Sequence, residues 1–391
     1  IKFLLYFCRK FHILCFIFYV FAMNNPFITI GYSGPEYFCD REEETSTLER
    51  ALRSGRNVTL ISPRRLGKTG LIQHTFHRMR QDAHTKCFYL DIYNTQNQLE
   101  FIQLLGQTLL GSLDGTIDKI ISQVASFFKS CRPIMEFDPI TGQPKLSFDI
   151  VSSQSETSLR EIFDYLQHSG YDCYVAIDEF QQITHYPEKG TEALLRSLMQ
   201  FTPNVHFVFS GSKQSLMSEI FSTPSRPFYQ STQKMGLEPL KEDVYYAFSA
   251  ALCKQAGKNL PAEVFHRFYD FAKGYTWYIQ DLMSRLYDMD EKGYTLDHAA
   301  TILKEVKKEG DVMYRDYIDL IATGQQKMLR AIAQEDNVLK PFDSAFMKRY
   351  ALGALSSTKL ALNTLVKNNI VVKSEQGYYI YDRYLSLWLQ Q

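Results

Sequence analysis

A glycine, a lysine and a threonine stand in succession at 67–69, separated by five residues from the end of a short apolar run. The run at residues 58–61 is typical of a buried strand, and a helix is predicted to begin near Lys68. A loop that holds a triphosphate needs close backbone approach, an ammonium group and a hydroxyl group at a helix N-terminus. Gly67, Lys68 and Thr69 supply these groups. The pattern therefore predicts an ATP site formed by Ser62, Pro63, Arg64, Arg65, Leu66, Gly67, Lys68, Thr69 and Gly70.

Within this loop, Lys68 is predicted to pair with the β- and γ-phosphates, and Thr69 to ligate Mg²⁺. Ser62 stands where the eight-residue pattern has its first glycine. A serine there is strained only if the backbone needs a positive φ. The alternative interpretation is a chance Gly-Lys-Thr at the start of a helix.

A second group of polar side chains comes at the end of another apolar strand. Residues 175–177 are apolar and lead into Asp178 and Glu179. Because the chain turns at the end of a strand, both carboxylates can approach a nucleotide. Asp178 is predicted to hold Mg²⁺, and Glu179 to orient or deprotonate the attacking water. Alternatively, the acidic pair caps the following helix.

A Ser-Gly-Ser turn follows a third buried strand, at residues 207–209. If the three strands are neighbours, Ser210 or Ser212 would lie beside the γ-phosphate as a sensor, although such a turn is also ordinary loop chemistry. The cation that stabilises the transferring phosphate is left open. The choices are an arginine from another subunit, or one of Arg64, Arg65, Lys213 and Arg226, although cations of this kind are more often solvated surface charges than catalytic residues.

The order of elements predicts an α/β fold, a P-loop NTPase core with a parallel sheet followed by a helical lid and a winged helix-turn-helix domain. Strands alternate with helices as far as residue 210, which is typical of a doubly wound sheet, and residues 111–155 are interpreted as an insertion. Three helical periods follow at 243–255, 261–272 and 277–287. Three more helices and a hairpin turning at 375–377 end the chain. We expect a core at 23–235, a lid at 236–310 and a winged helix at 311–391.

Composition limits the choice of partners. The chain has 391 residues, more than one hydrophobic core usually supports, and its 43 Lys and Arg balance its 43 Asp and Glu. No global field therefore draws it to nucleic acid or to an anionic membrane. The seven cysteines form no C-x-x-C pair, so free thiols in a cytoplasmic protein are predicted.

The first 22 residues differ from the rest of the chain. Residues 11–22 are almost wholly apolar and follow Arg9 and Lys10, but the run is shorter than the roughly 20 residues that span a bilayer. Typical globular sequence begins after Met23. We interpret residues 1–22 as upstream sequence or a hydrophobic extension, with a membrane anchor as the alternative, which mass spectrometry of the native N-terminus would decide.

The predicted winged helix carries one stripe of polar side chains. Lys359, Asn363 and Lys367 recur every four residues and would lie on the exposed face of its third helix. Leu362, Leu365 and Val366 would be buried. The stripe could contact DNA phosphates, but a protein-docking or autoinhibitory role fits the weak net charge of 311–391 equally well.

Taken together, these residues resemble the archaeal-type ATP-binding proteins of the AAA/STAND branch of P-loop ATPases. The resemblance spans residue 25 to the C-terminus and depends most on Pro-Arg-Arg-Leu-Gly-Lys-Thr at 63–69. Supporting segments lie at 25–27, 37–44, 177–181, 209–212, 237–240, 274–278 and 381–388. The resemblance implies that Phe38 and Arg41 lie near the adenine. Departures are Ser62 in place of glycine, and Thr276 where related switch ATPases have proline.

Two functions of different class follow. The first is a Mg-ATP-dependent molecular switch, in which the nucleotide controls docking of the lid and winged helix, with a homo-oligomer left open. The second is a DNA-binding regulator whose nucleotide site tunes affinity. A small-molecule kinase is a third option that the paired acids favour less.

Overall fold

The computed structural model describes residues 25–110, 130–137, 144–150 and 154–390. It divides into two compact units, one of residues 30–240 and the other of residues 241–390 together with 25–29. The hydrophobic extension at 1–22, the amphipathic stretch at 117–128 and most of the turn predicted at 138–144 lie outside the described residues.

A five-stranded parallel sheet forms the centre of the first unit. The strands of this unit are β1 Val58–Ile61, β2 Thr85–Asp91, β3 Cys131–Phe137, β4 Pro144–Ile150, β5 Asp172–Asp178, β6 Val205–Gly211 and β7 Gln233–Gly236. The order in the sheet is β2-β5-β6-β1-β7. Strand β6, which leads into the Ser-Gly-Ser turn, therefore lies between β1, which precedes the lysine loop, and β5, which ends at the acids. A separate antiparallel hairpin, β3–β4, belongs to the insertion.

Helices cover both faces of this sheet. On β5, Val175 and Ile177 point into one apolar cluster, while Tyr174 and Ala176 point into the other. Successive side chains of a strand point to opposite faces of the sheet, so this pattern is expected of a strand that is buried on both sides. The helices are α1 Glu42–Arg53, α2 Lys68–Met79, α3 Gln98–Leu110, α4 Ser155–Gln167, α5 Thr191–Phe201 and α6 Gln214–Ser222. The predicted α/β core is therefore confirmed.

The second unit is helical and ends in a hairpin. Its elements are α7 Glu242–Gln255, α8 Ala262–Ala272, α9 Thr276–Tyr287, α10 Leu296–Asp319, α11 Thr323–Glu335, α12 Ser344–Arg349, α13 Leu355–Lys367, β8 Val371–Ser374, β9 Gly377–Ile380 and α14 Arg383–Leu389. Helices α11 to α13 with the β8–β9 hairpin form the predicted winged helix. The boundary predicted at residue 310 falls inside α10, and the division of this unit into two domains stays a prediction.

The winged helix packs on the lid helices within the second unit. Arg383 is fully buried and donates to the carbonyl oxygen of Phe271 at 2.8 Å and to the carboxylate of Asp336, which also receives Lys273 at 2.8 Å. Tyr278 donates to Asp382 at 3.1 Å. Buried charges and hydroxyl groups need such partners. Lid and winged helix are therefore joined by specific polar contacts.

Two further observations concern the described residues. Cys39, Cys87, Cys173 and Cys253 are free and buried, as expected for thiols. No helix in the described ranges is both long and apolar enough to cross a bilayer.

Candidate functional site

The phosphate-binding loop predicted from the sequence connects β1 to α2. Gly67 precedes the helix with φ 89° and ψ 24°, and Arg65 has φ 67°. Ser62 is not among the described residues with positive φ. A serine therefore carries no left-handed strain at this position, and the departure from glycine leaves the loop geometry intact.

Lys68 lies inside this loop. Its ammonium group donates to the carbonyl oxygens of Ser62 and Pro63, each at 2.9 Å, and the side chain is only 7% exposed. The loop is thus wrapped around the cation. An anion that enters would replace these two carbonyl groups as the partner of the ammonium.

Burial lowers the pKa of Lys68 to about 8. Asp178 and Glu179 act against this by stabilising the charged form, whereas Arg64 adds to the lowering. Because two carboxylates compensate only part of the burial, the ammonium releases its proton more readily than an ordinary lysine does.

Thr69 and Asp178 meet across the first turn of α2. The hydroxyl of Thr69 donates to Oδ2 of Asp178 at 3.0 Å, and the hydroxyl of Tyr89 donates to the same oxygen at 2.6 Å. Asp178 is 6% exposed. The carboxylate is therefore held in place from two sides, by the loop and by β2.

Glu179 is linked to the loop through Ser212. The Ser212 hydroxyl donates to Oε2 of Glu179 at 2.9 Å and accepts from Nε of Arg64 at 3.0 Å. The backbone of Glu179 is left-handed, with φ 53° and ψ 38°. A non-glycine residue in this region costs of order 1 kcal/mol or more, and such strain is common at functional sites.

The sheet order explains why these groups converge. Parallel strands end at one edge of the sheet, and β6 lies between β1 and β5. Ile61 pairs with Gly211, and Ile177 pairs with Phe209. The three polar segments that follow these strands therefore share one edge, where ligands bind in open α/β sheets.

Phe38 and Arg41 lie next to the loop rather than in it. The Phe38 ring stacks on His74 with 4.3 Å between centroids, and its edge would be 3.3 Å from a Cβ atom on Gly70. Arg41 is buried and donates to the carbonyl oxygens of Leu66, at 3.1 Å, and of Glu238, at 2.9 Å. Arg41 thus ties the loop to the segment that follows β7.

Three other predicted residues are placed differently. Arg226 pairs with Glu192 at 2.6 Å and with Glu219 at 3.7 Å. Ser210 is fully buried, and within the described residues its hydroxyl group has no hydrogen-bond partner. Lys213 precedes α6 and is half-buried. Of the two serines considered as sensors, Ser212 is therefore the one that contacts Glu179.

Tyr89 and Asp91 were missed by the sequence reasoning. Both stand at the end of β2, and Asp91 pairs in register with Asp178. Burial raises the pKa of Asp91, and the charges of Asp178 and Glu179 raise it further. The available signal was the same as for Asp178, an acid that ends an apolar strand of the parallel sheet.

These features define a class of protein, a P-loop NTPase core followed by a helical lid and a winged helix. Residues 38–282 match the family described as an ATPase domain predominantly from Archaea, and residues 312–391 match a probable winged helix domain. The chain belongs to this archaeal-type ATPase family. It is therefore an ATP-binding domain of the P-loop ATPase class. No curated protein sequence shows significant similarity to it.

Three solved structures of similar fold come from two organisms, Pyrococcus abyssi and Aeropyrum pernix. A Walker-type ATPase of Pyrococcus abyssi is 18% identical, with a TM-score of 0.65 over 93% of this chain and 99% of that chain. The ORC2 protein of Aeropyrum pernix, in ADPNP–ADP complexes, is 14% identical, with a TM-score of 0.55 over 93% and 96% of the two chains. The ORC1 protein of Aeropyrum pernix, in complex with DNA, is 13% identical, with a TM-score of 0.50 over 91% and 93%. At these identities the likeness shows the fold alone.

Proposed function

We propose that this protein is a Mg²⁺-dependent ATPase of the AAA/STAND type that works as a molecular switch. The observation that carries the proposal is the convergence of Lys68, Thr69, Asp178 and Glu179 at one sheet edge. Thr69 and Asp178 are in direct contact at 3.0 Å, although 109 positions separate them in the chain. Membership of the ATPase family indicates ATP binding. The four side chains at the sheet edge support the proposal that the bound ATP is hydrolysed.

Binding of the triphosphate would use the loop and the start of α2. Loops that alternate right- and left-handed residues form anion-binding concavities from successive N–H groups, and Arg65 and Gly67 have the left-handed conformation. The helix N-terminus adds a partial positive charge. Lys68 would exchange its two carbonyl partners for phosphate oxygens, which stabilises its charged form.

The residues present fit a magnesium ion. Thr69 and Asp178 offer one hydroxyl and one carboxylate oxygen side by side, and Mg²⁺ is usually held by one or two protein oxygens together with water and substrate phosphates. When bound, the ion neutralises charge that develops on the phosphates.

Glu179 is proposed as the group that orients or deprotonates the attacking water. Its Oε2 accepts from Ser212, and among the described residues none donates a hydrogen bond to its Oε1. One oxygen is therefore fixed and the other is open to accept a proton. Arg64, which donates to Ser212, is the loop cation best placed to respond to the γ-phosphate.

The switch part of the proposal concerns how the bound nucleotide affects the second unit. We propose that ATP binding and hydrolysis change how the lid and winged helix dock on the core. The polar contacts of Arg383 and Tyr278 support a joint response of lid and winged helix, because they join the two parts.

Two substitutions test the ATPase and one scattering experiment tests the switch. Lys68→Ala should abolish ATP binding, whereas Glu179→Gln should bind ATP normally and lose turnover by roughly 100-fold or more. Small-angle X-ray scattering should then give different curves for the Glu179→Gln protein with ATP and the wild type with ADP. Normal turnover by Glu179→Gln would refute the assignment of the base. Identical scattering curves would refute the switch.

A DNA-binding regulator is the second candidate. Lys359, Asn363 and Lys367 are all exposed on α13, whereas Leu362 and Leu365 are buried. The predicted stripe is thus available to phosphates, and one neighbour of the same fold was solved with DNA. Lys359→Glu with Lys367→Glu should abolish a salt-dependent gel shift. Reversal of the exposed Lys304 and Lys308 on α10 is the control with the same change in charge. Absence of any shift at low salt would dismiss this candidate.

A further inference from the structure

A glutamine lies directly behind the proposed base. Gln181 belongs to the short 3₁₀ helix Phe180–His185 that begins one residue after Glu179. Its side chain is 3% exposed, and its amide nitrogen donates to Oε2 of Glu179. A buried polar side chain is usually retained for a specific contact. Here that contact is the carboxylate proposed to act on water.

The side chain of Gln181 occupies space that is free because Gly211 has no side chain. A Cβ atom on Gly211 would be 2.3 Å from Oε1 of Gln181 and 2.5 Å from Sδ of Met217. Both distances are too short for non-bonded contacts of a carbon atom, so a side chain at this position would have to displace Gln181 and Met217. The amide of Gln181 is therefore confined between β6 on one side and Glu179 on the other.

The orientation of the amide follows from its unequal partners. Oε1 of Gln181 is buried and has no hydrogen-bond partner in the described part of the chain. An unsatisfied buried acceptor is unfavourable by about 1–3 kcal/mol, so the contact made by the nitrogen must compensate for it. A leucine of similar volume would avoid that penalty. The glutamine is thus better explained by its effect on Glu179 than by packing.

Gln181 and Ser212 act on the same atom. Both donate to Oε2 of Glu179, one from the segment after β5 and the other from the segment after β6. Two donors on one carboxylate oxygen fix the rotation of the carboxylate. Its second oxygen, Oε1, is then held in one direction rather than exchanging with Oε2.

We propose that Gln181 is a positioning residue for ATP hydrolysis, whose confined amide fixes the carboxylate of Glu179 so that Oε1 is presented to the attacking water. This inference rests on the proposed role of Glu179. It adds that hydrolysis by Glu179 also requires a buried amide donor next to its carboxylate.

The test compares two neighbouring glutamines. Gln181→Leu keeps the volume and removes the donor, and it should lower kcat roughly 10- to 100-fold while leaving KM and the affinity for ATP within about twofold. Gln182→Leu is the matched control. Gln182 lies in the same 3₁₀ helix, but its amide donates to the carbonyl oxygen of Thr95 at 2.9 Å, so its loss should leave kcat near the wild-type value.

A second variant covers a failure of Gln181→Leu to fold. Gln181→Asn keeps the amide but is one methylene shorter, so it should lose kcat in the same way. In a double-mutant cycle, Gln181→Leu and Ser212→Ala should lower kcat by less than the product of their single effects, because both remove donors to one oxygen.

The outcomes separate this inference from the proposed function. Normal kcat in Gln181→Leu, or equal losses in Gln181→Leu and Gln182→Leu, overturns the positioning role. If Glu179→Gln has lost turnover in the same assays, only this inference fails. If Glu179→Gln turns over normally, the proposed base fails, and the positioning role fails with it.

Discussion

The hydroxyl group of Thr69 donates to Oδ2 of Asp178 at 3.0 Å, although the two residues are 109 positions apart in the sequence. The contact joins the first turn of α2 to the end of β5. It exists because β6 separates β1 from β5 by one strand only, so that the ends of all three lie at one edge. The two oxygens that would share a magnesium ion are thus already adjacent.

Asp178→Asn should impair magnesium-dependent turnover. The substitution removes the negative charge from the carboxylate that contacts Thr69, so kcat should fall roughly 100-fold and half-saturation should need more Mg²⁺. Steady-state ATPase assays across a magnesium titration measure both. Asp91→Asn is the control, since Asp91 ends the neighbouring strand and its carboxylate accepts from the backbone N–H of Tyr93 at 2.8 Å. Equal effects of the two substitutions would contradict a specific role for Asp178.

ATP affinity should weaken as pH rises through the pKa of Lys68, which is lowered to about 8. Phosphate binding needs the charged ammonium, so above that pH the competent fraction, and with it the affinity, should fall about tenfold per pH unit. Titration of a fluorescent ATP analogue between pH 6.5 and pH 9.5 would measure this. Lys68→Arg stays charged throughout and should show no such step.

The same pKa predicts an opposite trend for the stability of the nucleotide-free protein. Between about pH 8 and the ordinary lysine value of 10.5, the unfolded chain keeps a proton on Lys68 that the folded chain has released. Because the unfolded state binds more protons, the free energy of unfolding should rise with pH across this window. Thermal melts of the wild type and Lys68→Met, compared at pH 7.5 and pH 9, would show it. A wild type that loses stability relative to Lys68→Met over this interval would contradict the lowered pKa.

The sequence predicted the core of this site because strand and loop signals were strong there. The runs that became β1, β5 and β6 are continuous and apolar, and the lid helices predicted at 243–255 and 261–272 are observed as α7 and α8 within about one residue. The loop that contains Gly67 follows β1, and the acidic pair stands at the end of β5. The residue types of the site and the order of the strands along the chain therefore indicated the same site.

The missed elements depend on pairing that no local pattern encodes. Strand β7 has the sequence Gln-Lys-Met-Gly, with no apolar run, and it becomes a strand because it pairs in parallel with β1 at the sheet edge. Tyr89 contacts Asp178 only because β2 and β5 are neighbours. That Arg41 lies near the adenine stays a prediction, and nothing in the sequence indicated that its buried guanidinium group donates to two backbone carbonyl groups.

Arg41→Ala should loosen the phosphate-binding loop. The substitution leaves the buried carbonyl of Leu66 and that of Glu238 without their donor, and each unsatisfied group is unfavourable by about 1–3 kcal/mol. ATP affinity should therefore fall roughly tenfold, with a smaller effect on kcat at saturating ATP. Calorimetric titration with a non-hydrolysable analogue measures the affinity. The control is Arg50→Ala, because Arg50 is exposed on α1, the helix that begins directly after Arg41. This variant should bind ATP with normal affinity. Unchanged affinity in Arg41→Ala would show that the loop keeps its shape without this anchor.

Arg383→Met should destabilise the unit that contains the lid and winged helix. The guanidinium group is 2% exposed and bridges Phe271 to Asp336, but Asp336 is 40% exposed and keeps Lys273 as a partner. The loss should therefore be smaller than for a fully buried pair, about 2 kcal/mol. Urea unfolding followed by tryptophan fluorescence reports on this unit, because both tryptophans, at positions 277 and 388, lie in it. Arg349→Met is the control, since its pair with Glu335 is exposed and its loss should leave the midpoint unchanged. Equal midpoints for wild type and Arg383→Met would show that the bridge does not hold lid and winged helix together.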